Sequence, residues 1–317
     1  MKLDILIVNY NTEHLLQSMF DACALASDDV GTHYWVVDNA STDNSAETLK
    51  QRFPQVELVV NTNNVGFGRA NNQLLPFLDD SSEFVLLLNT DAFVGKDTFH
   101  STLAYMQAHP EVGVLGVRLV GRDGELQPSC RYFPTPFNVF LARSGLGQLV
   151  PWIRLVDDMG WSHDEVRECD WVPGCYYLVR KTVLDQVGLF DPRYFLYSEE
   201  VDHCKRVKAA GWEVVFYPHT TVVHIGGESA KSAGTLTDGG RQLSILQVES
   251  ELLYFRKHHG LFGLWLHLLL SHLGDMILAT KDVLRHRGWQ AAKKHFAHST
   301  MVRKLCAATQ WGHSPTR

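Results

Sequence analysis

The 317-residue chain has few cysteines and none at paired spacing. Cys23, Cys130, Cys169, Cys175, Cys204 and Cys306 are scattered, with no C-x-x-C pair. That distribution argues against a disulfide framework or a zinc knuckle and points to a reducing compartment. There is no internal repeat and no low-complexity segment, so solenoids and disordered linkers are poor readings. The opening residues lack the pattern of an export signal, because Asp4 interrupts an apolar run that is short and reads as a strand. Acidic excess is also slight, at a net −6, but it is unevenly spread. Residues 241–317 hold 11 Lys/Arg and 4 Asp/Glu, a net of +7, against 18 basic and 31 acidic residues elsewhere. An acidic body with a basic tail suits an anionic surface as partner and gives no reason to expect a nucleic acid. With 45% apolar and 20% charged residues, the chain has ample material for one large domain or two smaller ones.

The first hundred residues alternate between two periods. "LDILIVNYN", "HYWVVDNAS", "VELVVN" and "EFVLLLN" read as strands. Between them, residues 12–26, 41–53 and "GFGRANNQLLPFL" read as helices, with Ser41 or Thr42 as N-cap of the second. Alternation of this length predicts an α/β fold, a Rossmann-like and mostly parallel sheet flanked by helices. A helix near residues 97–109 and a strand at "EVGVLGVRLV" follow. Residues 121–170 show no clean period. Regularity returns with "CYYLVRKTVLDQVG", a helix at "EEVDHCKRVKAAG" and a strand at "WEVVFYP". From Arg241 the chain reads as a helical extension. The expected organisation is a domain over 1–240, with halves 1–95 and 96–240, and a basic, amphipathic helical tail over 241–317.

The stretch "FVLLLNTDAFVG" runs five apolar residues straight into Asn89, Thr90 and Asp91. The other early strands do the same, ending in Asn9, Tyr10 and Asn11, in Asp38 and Asn39, and in Asn61, Asn63 and Asn64. Any one such tip is explained by turn formation. Four together suggest a ligand site at the carboxyl edge of the sheet, where open parallel sheets bind their ligands. "GFGRAN" has two glycines of a dinucleotide fingerprint but Asn71 in place of the third, which makes a nicotinamide site a poor reading.

"VNYN", "VVDNASTD", "NVGFGRANN" and "LLLNTDAF", in this order, resemble the nucleotide-sugar half of an inverting family 2 glycosyltransferase. The branch they are similar to is the rhamnosyltransferase-like enzymes of bacterial surface polysaccharide synthesis. "WVPGCYYLVRKTVLDQVGLFD", "FLYSEEVDHCKRVKAAGW" and "VVHIGGES" resemble the acceptor half. The resemblance implies a GT-A fold and metal-dependent transfer of a sugar, rhamnose from dTDP-rhamnose, to a glycan or lipid-linked acceptor. A UDP-sugar donor and a catalytically silent nucleotide-sugar-binding protein are the alternatives. A nucleotidyltransferase would need a basic glycine-rich signature after the first strand, and "VNYNTEH" is not one.

The resemblance also assigns roles. Asp38 would hydrogen-bond the nucleobase, with Val8, Asn9 and Tyr10 forming the other side of its pocket. Asn64, Gly66, Arg69 and Asn71 would surround the diphosphate. Asn89, Thr90 and Asp91 occupy the D-x-D position, with an amide replacing the first carboxylate. Asp91 and His224 would hold a divalent metal, Mn²⁺ or Mg²⁺, together with diphosphate oxygens. Glu200 fills the slot of the catalytic base, and Glu199 and Asp202 stay open as alternatives, because crowded carboxylates raise one another's proton affinity. The same three residues equally suit the acidic first turn of a helix. Trp171, Pro173, Gly174 and Cys175 would form the acceptor-side wall.

Between Lys257 and Asp275 the chain is uncharged, as "HHGLFGLWLHLLLSHLG", and a basic stretch follows. Its histidines and glycines argue against a stable membrane span. An apolar helix followed by a basic one reads as an interfacial anchor on an anionic membrane, or as a helix packed on the domain with a solvated basic face. The location expected is the cytoplasm, at the inner face of the cell membrane.

Overall fold

Runs of apolar and β-branched residues set the strands, and helical spacing of apolar residues sets the helices that cover them. The computed structural model describes residues 2–79, 81–226 and 236–317, with side chains from 245 onward in the last stretch. In chain order the elements are β1 (Lys2–Asn9), α1 (Glu13–Ala26), β2 (Gly31–Asp38), α2 (Ser45–Arg52), β3 (Val56–Val60), α3 (Phe67–Asn72), β4 (Phe84–Leu88) and β5 (Ala92–Phe93). Then come α4 (Thr98–Ala108), β6 (Val112–Val120), β7 (Leu126–Gln127), α5 (Pro136–Ser144), β8 (Arg167–Glu168), β9 (Tyr176–Arg180), α6 (Lys181–Val187) and α7 (Glu199–Ala209). β10 (Glu213–His224), α8 (Leu236–Leu284) and α9 (Trp289–Ala308) complete the chain. Two units divide it: one of residues 1–131, 159–195 and 199–239, the other of residues 132–158, 196–198 and 240–317.

The first unit holds the sheet, in the order β3-β2-β1-β4-β9-β6-β10-β5, with β7 on β6 and β8 on β10. β1 pairs in parallel with β2 and β4, and β2 with β3. The second half is mixed rather than mostly parallel. β9 lies antiparallel to both β4 and β6, while β6 and β10 are parallel. The reason lies in the connection: β9 is reached through the long irregular segment after β7, with no single crossover helix to impose a parallel return. β4 is buried along its whole length, and α1 covers the sheet with Leu15, Leu16, Met19, Phe20 and Cys23. Asp4 sits inside this core with both oxygens satisfied, by the Trp35 indole N–H and the Asp79 backbone N–H. All six cysteines are free and buried.

Two helices start or stop differently from the sequence expectation, for identifiable reasons. α2 begins at Ser45 with Asn44 as N-cap, not at Ser41 or Thr42. The polar groups of those two residues are used by the β1 tip instead, since Ser41 Oγ accepts from Asn11 N–H and Thr42 N–H donates to Asn11 Oδ1. α3 ends at Asn72, and Pro76 leaves only a 3₁₀ turn at Leu75–Phe77.

The second unit is helical. α5 carries a capping box between Thr135 and Asn138, with Pro136 in its first turn. α8 breaks at Gly260 (φ 66°, ψ −168°), so its apolar part is a separate helix running from Leu261. On that part the buried positions include His267, Ser271 and Asp275, while Phe262, Trp265, Leu269, Leu273 and Met276 are exposed. Asp275 accepts from Arg143 Nη2 (2.6 Å), His298 Nδ1 (3.0 Å) and Ser299 Oγ (2.6 Å). Despite desolvation, the bonds from His298 and Ser299 hold its carboxyl below the usual range.

Candidate active site

The polar strand tips are joined by one line of hydrogen bonds. Asn9, the last residue of β1, donates its amide to Asp38 Oδ1 at the end of β2 (2.8 Å). Thr12 donates its hydroxyl to Asn9 Oδ1 (2.7 Å) and meets the Thr90 hydroxyl beyond β4 at 2.8 Å. Thr12 is therefore unavailable as a side-chain cap for α1. Asp38 is buried, and its second oxygen accepts from Ser41 N–H. Asn39 extends the line sideways, donating to Asn64 Oδ1 (2.9 Å) and accepting from Val65 N–H (3.0 Å).

The glycine-rich loop is shaped by contacts that leave no room for a side chain. Gly66 has φ 88° and ψ 167°, and Phe67 N–H donates to Phe195 O beside it (2.9 Å). Asn71 is buried and donates to Phe67 O, which ties the loop together, while its Oδ1 has no partner among the described residues. Arg69 donates Nε to Pro192 O (2.7 Å).

Asp91 and His224 lie side by side, with Oδ1 and Nε2 3.6 Å apart. That separation is too long for a hydrogen bond. The β10 end is tied to Asp91 by Ile225 N–H donating to Asp91 O (3.0 Å). Burial holds the His224 imidazole below its ordinary range, against the opposing field of Asp91, so it is neutral near pH 7. A neutral imidazole edge and a carboxylate that face each other without bonding suit a divalent cation. They supply two ligands. Among the described residues there is no cluster of three or more His, Cys, Asp or Glu side chains. Gly226 lies within the described residues, and residues 227–229 of the "VVHIGGES" motif lie outside them.

α7 presents the three carboxylates, and they differ. Asp202 is fully buried and accepts from Arg206 Nε (3.0 Å). Glu199 is buried, and desolvation followed by the Glu200 charge pushes its carboxyl well above the usual range. Glu200 is half-buried. Desolvation raises it too, while its own backbone N–H and Arg131 pull it back. Oε2 of both glutamates has no hydrogen-bond partner among the described residues. Cys175 connects this region to Asp91 and His224. Its thiol is raised by burial, then by the field of Asp91, and less by that of Glu200. Cys175 O accepts Asn89 N–H (3.1 Å). Nearby, the Arg131 guanidinium lies 4.0 Å over the Trp171 ring, and Gly174 faces the Phe67 ring. Pro173 is half-buried between them in sequence.

Sequence reasoning named Asn39 only as a strand tip and did not find Thr12, Gln127 or Arg131. Thr12 adjoins a recognised tip, and a hydroxyl residue just past a strand end was the available signal. Gln127 and Arg131 lie in the aperiodic 121–170 region, where no pattern marks them.

The architecture is that of a GT-A glycosyltransferase. The chain is similar in structure to the mannosyltransferase PcManGT from Pyrobaculum calidifontis, solved in complex with GDP-Man and Mn²⁺ (TM-score 0.55, 16% identity, 98% of this chain and 87% of that one). It is likewise similar to residues 1–349 of TarS from Staphylococcus aureus (TM-score 0.52, 13% identity, 98% and 92%). The chain carries a glycosyl transferase family 2 domain, matched over residues 4–149. Among named proteins it is 31% identical over 208 residues to N-acetylglucosaminyl-diphospho-decaprenol L-rhamnosyltransferase of Mycobacterium tuberculosis, covering 60% of this chain and 65% of that protein's length. It is 23% identical over 237 residues to rhamnosyltransferase WbbL of Escherichia coli (72% and 85%).

Proposed function

We propose that the chain is an inverting glycosyltransferase that moves rhamnose from dTDP-rhamnose to a glycan or lipid-linked acceptor in cell-surface polysaccharide assembly. The observation that carries this reading is the side-by-side placement of Asp91 and His224, with the fields of Asp91 and Glu200 both acting on Cys175, beside a bonded line of strand tips. The names of the similar rhamnosyltransferases favour the sugar, and a UDP-sugar is the donor to test against it. Residues 1–95 serve the donor and 96–240 the acceptor. Val8, Asn9, Tyr10 and Asp38 line the nucleobase subsite, where the lone pairs of Asp38 not used internally accept a ring N–H. Asn64, Gly66, Arg69, Asn71, Asn89 and Thr90 shape the diphosphate side.

Asp91 and His224 hold Mn²⁺ or Mg²⁺, which when bound offsets the charge of the departing nucleoside diphosphate. Glu200 takes the proton of the acceptor hydroxyl as that oxygen attacks the anomeric carbon. The bond from that carbon to the diphosphate breaks on the opposite face, and the configuration inverts. Glu200 fits this better than its neighbours. Asp202 is committed to Arg206, and Glu199 is buried with its carboxyl pushed well above the usual range. Trp171, Pro173, Gly174 and Cys175 wall the acceptor side. Glu200→Gln should keep nucleotide binding and lower turnover by about 10²–10⁴-fold, the usual contribution of a positioned base. Unchanged turnover would remove Glu200 from the mechanism. A wild-type protein that binds the nucleotide sugar without turnover would mark a silent binder, the reading to which Asn89 at the first D-x-D position lends weight.

The tail supplies the membrane contact, at the cytoplasmic face. The part of α8 after Gly260 is apolar on its outer face as well as its inner one: Phe262, Trp265, Leu269, Leu273 and Met276 face outward, while Leu264, Leu268 and Ala279 are buried with His267 and Asp275. From Arg285 to the end there are seven Lys/Arg and no acidic residue. An apolar stripe with adjoining positive charge suits an anionic bilayer surface. Flotation with phosphatidylglycerol vesicles should recover the protein. The Leu269→Gln/Met276→Gln variant should be lost from the floating fraction, and equal recovery of both would count against the contact.

A further inference from the structure

We infer that Gln127 is a positioning residue that fixes the tautomer of His224 and so keeps the imidazole open toward Asp91. This inference rests on the reading of Asp91 and His224 as a cation site, and it concerns a residue outside that site. Gln127 ends β7, a two-residue strand paired with β6 in the register Leu119↔Gln127. Its backbone is clamped, because Ser129 Oγ donates to Gln127 O (2.9 Å) and accepts from Leu119 N–H (3.2 Å).

The side-chain amide is equally constrained. Its Nε2 donates to the backbone carbonyl of His224 (2.8 Å), and its Oε1 lies 2.9 Å from His224 Nδ1. A carbonyl oxygen only accepts, so the nitrogen of the amide has to face it, and the reversed amide would set two acceptors together. Oε1 is thereby fixed opposite Nδ1, and since Oε1 also only accepts, Nδ1 carries the proton. The neutral imidazole has one N–H. Nε2 is therefore the lone-pair nitrogen, and it is the atom 3.6 Å from Asp91 Oδ1.

The other tautomer has a different consequence. With its proton on Nε2, the imidazole becomes a donor aimed at the Asp91 carboxylate. A short movement closes the 3.6 Å gap into a hydrogen bond, and both groups then satisfy each other rather than a cation. Gln127 removes that outcome by occupying the Nδ1 proton. A hydrogen bond to the far nitrogen is the usual way a ligating histidine is oriented and made more basic, and losing it typically weakens metal affinity about 10–100-fold.

The test reads the tautomer directly. Protein with ¹⁵N-labelled histidine is examined by long-range ¹H–¹⁵N correlation at neutral pH without metal, and Mn²⁺ binding is followed separately by electron paramagnetic resonance with dTDP present, against Mn²⁺ and dTDP without protein. Wild type should show His224 protonated at Nδ1. Gln127→Ala should shift it toward protonation at Nε2 and weaken Mn²⁺ about 10–100-fold. Where Gln127→Ala does not fold, the wild-type tautomer alone decides the assignment. An Nε2–H imidazole in the wild type, or an unchanged tautomer in Gln127→Ala, overturns the inference. Wild type that shows the Nδ1–H form, lost in Gln127→Ala, but takes up no Mn²⁺ upholds the tautomer assignment and instead removes the cation reading.

Discussion

Gly66→Ala, compared with Gly188→Ala, tests how the donor loop is held. The two glycines share nearly one backbone conformation, φ 88°, ψ 167° for Gly66 and φ 67°, ψ 178° for Gly188. That region is essentially reserved for glycine, and forcing alanine into it costs about 1–3 kcal/mol. The surroundings differ. A Cβ on Gly188 meets nothing within 4 Å among the described residues, whereas one on Gly66 falls 2.9 Å from Phe195 Cδ2, 3.0 Å from its carbonyl carbon and closer still to its carbonyl oxygen. The obstruction is backbone, and that oxygen also accepts Phe67 N–H, so it cannot swing away cheaply. Overpacking of this kind adds about 1–3 kcal/mol. Both positions lie in the same unit, so one unfolding transition reports both. Gly66→Ala should melt below Gly188→Ala by about 4–8 °C, taking about 2 kcal/mol at 2–4 °C per kcal/mol. Stabilisation by added dTDP should fall in Gly66→Ala and persist in Gly188→Ala. Equal melting temperatures would show that the loop yields without resistance and that Phe195 does not hold it.

Other outcomes follow from the buried charges. The Glu199 carboxyl is raised in the folded protein above its ordinary 4.5, so its protonated form stabilises the fold fully below that pH and the contribution is lost as pH rises through the folded value. Glu199→Gln should thus match wild type near pH 4 and gain on it above pH 4.5, by up to about 1.4 kcal/mol per pH unit. Parallel stability profiles in urea would contradict the burial argument. In the helical unit, Asp275→Asn leaves Arg143 and His298 without their shared anion and should lower stability by about 3 kcal/mol. A loss below about 0.5 kcal/mol in urea, the size of an ordinary surface change, would mean the cluster is not cooperative. Because the Asp275 carboxyl is held below its ordinary 3.8, its contribution is present above that pH and disappears as pH falls through the folded value.

The donor half of the fold was legible because its strands are near-continuous apolar runs that stop at Asn or Asp. Asn9, Asp38, Asn89 and Asp91 were all visible in that way. How they are used was not visible. Ser41 reads as a helix cap by type, yet its hydroxyl and backbone N–H are taken by the tips of β1 and β2, a long-range demand that local propensity does not carry. The orientation of β9 was hidden for a related reason, since an apolar run reads the same in either direction. Gln127 and Arg131 acquire their positions only from the β6–β7 pairing and the bridge from Arg131 to Trp171. Nothing in their local sequence encodes those pairings. The three carboxylates of α7 look alike in sequence, and burial together with the Arg206 partner of Asp202 separates them.

The line from Asp38 through Asn9 and Thr12 to Thr90 also bears on how such a protein changes preference. Each member satisfies the next, so a single replacement strands a neighbour's buried polar group. Variation toward a new base or sugar is therefore channelled to partly exposed positions that take no part in the line, such as Val8, Tyr10 and Asn89. A laboratory selection for an altered donor should collect its accepted substitutions at those three sites and leave the four linked residues untouched, or exchange them only as a set.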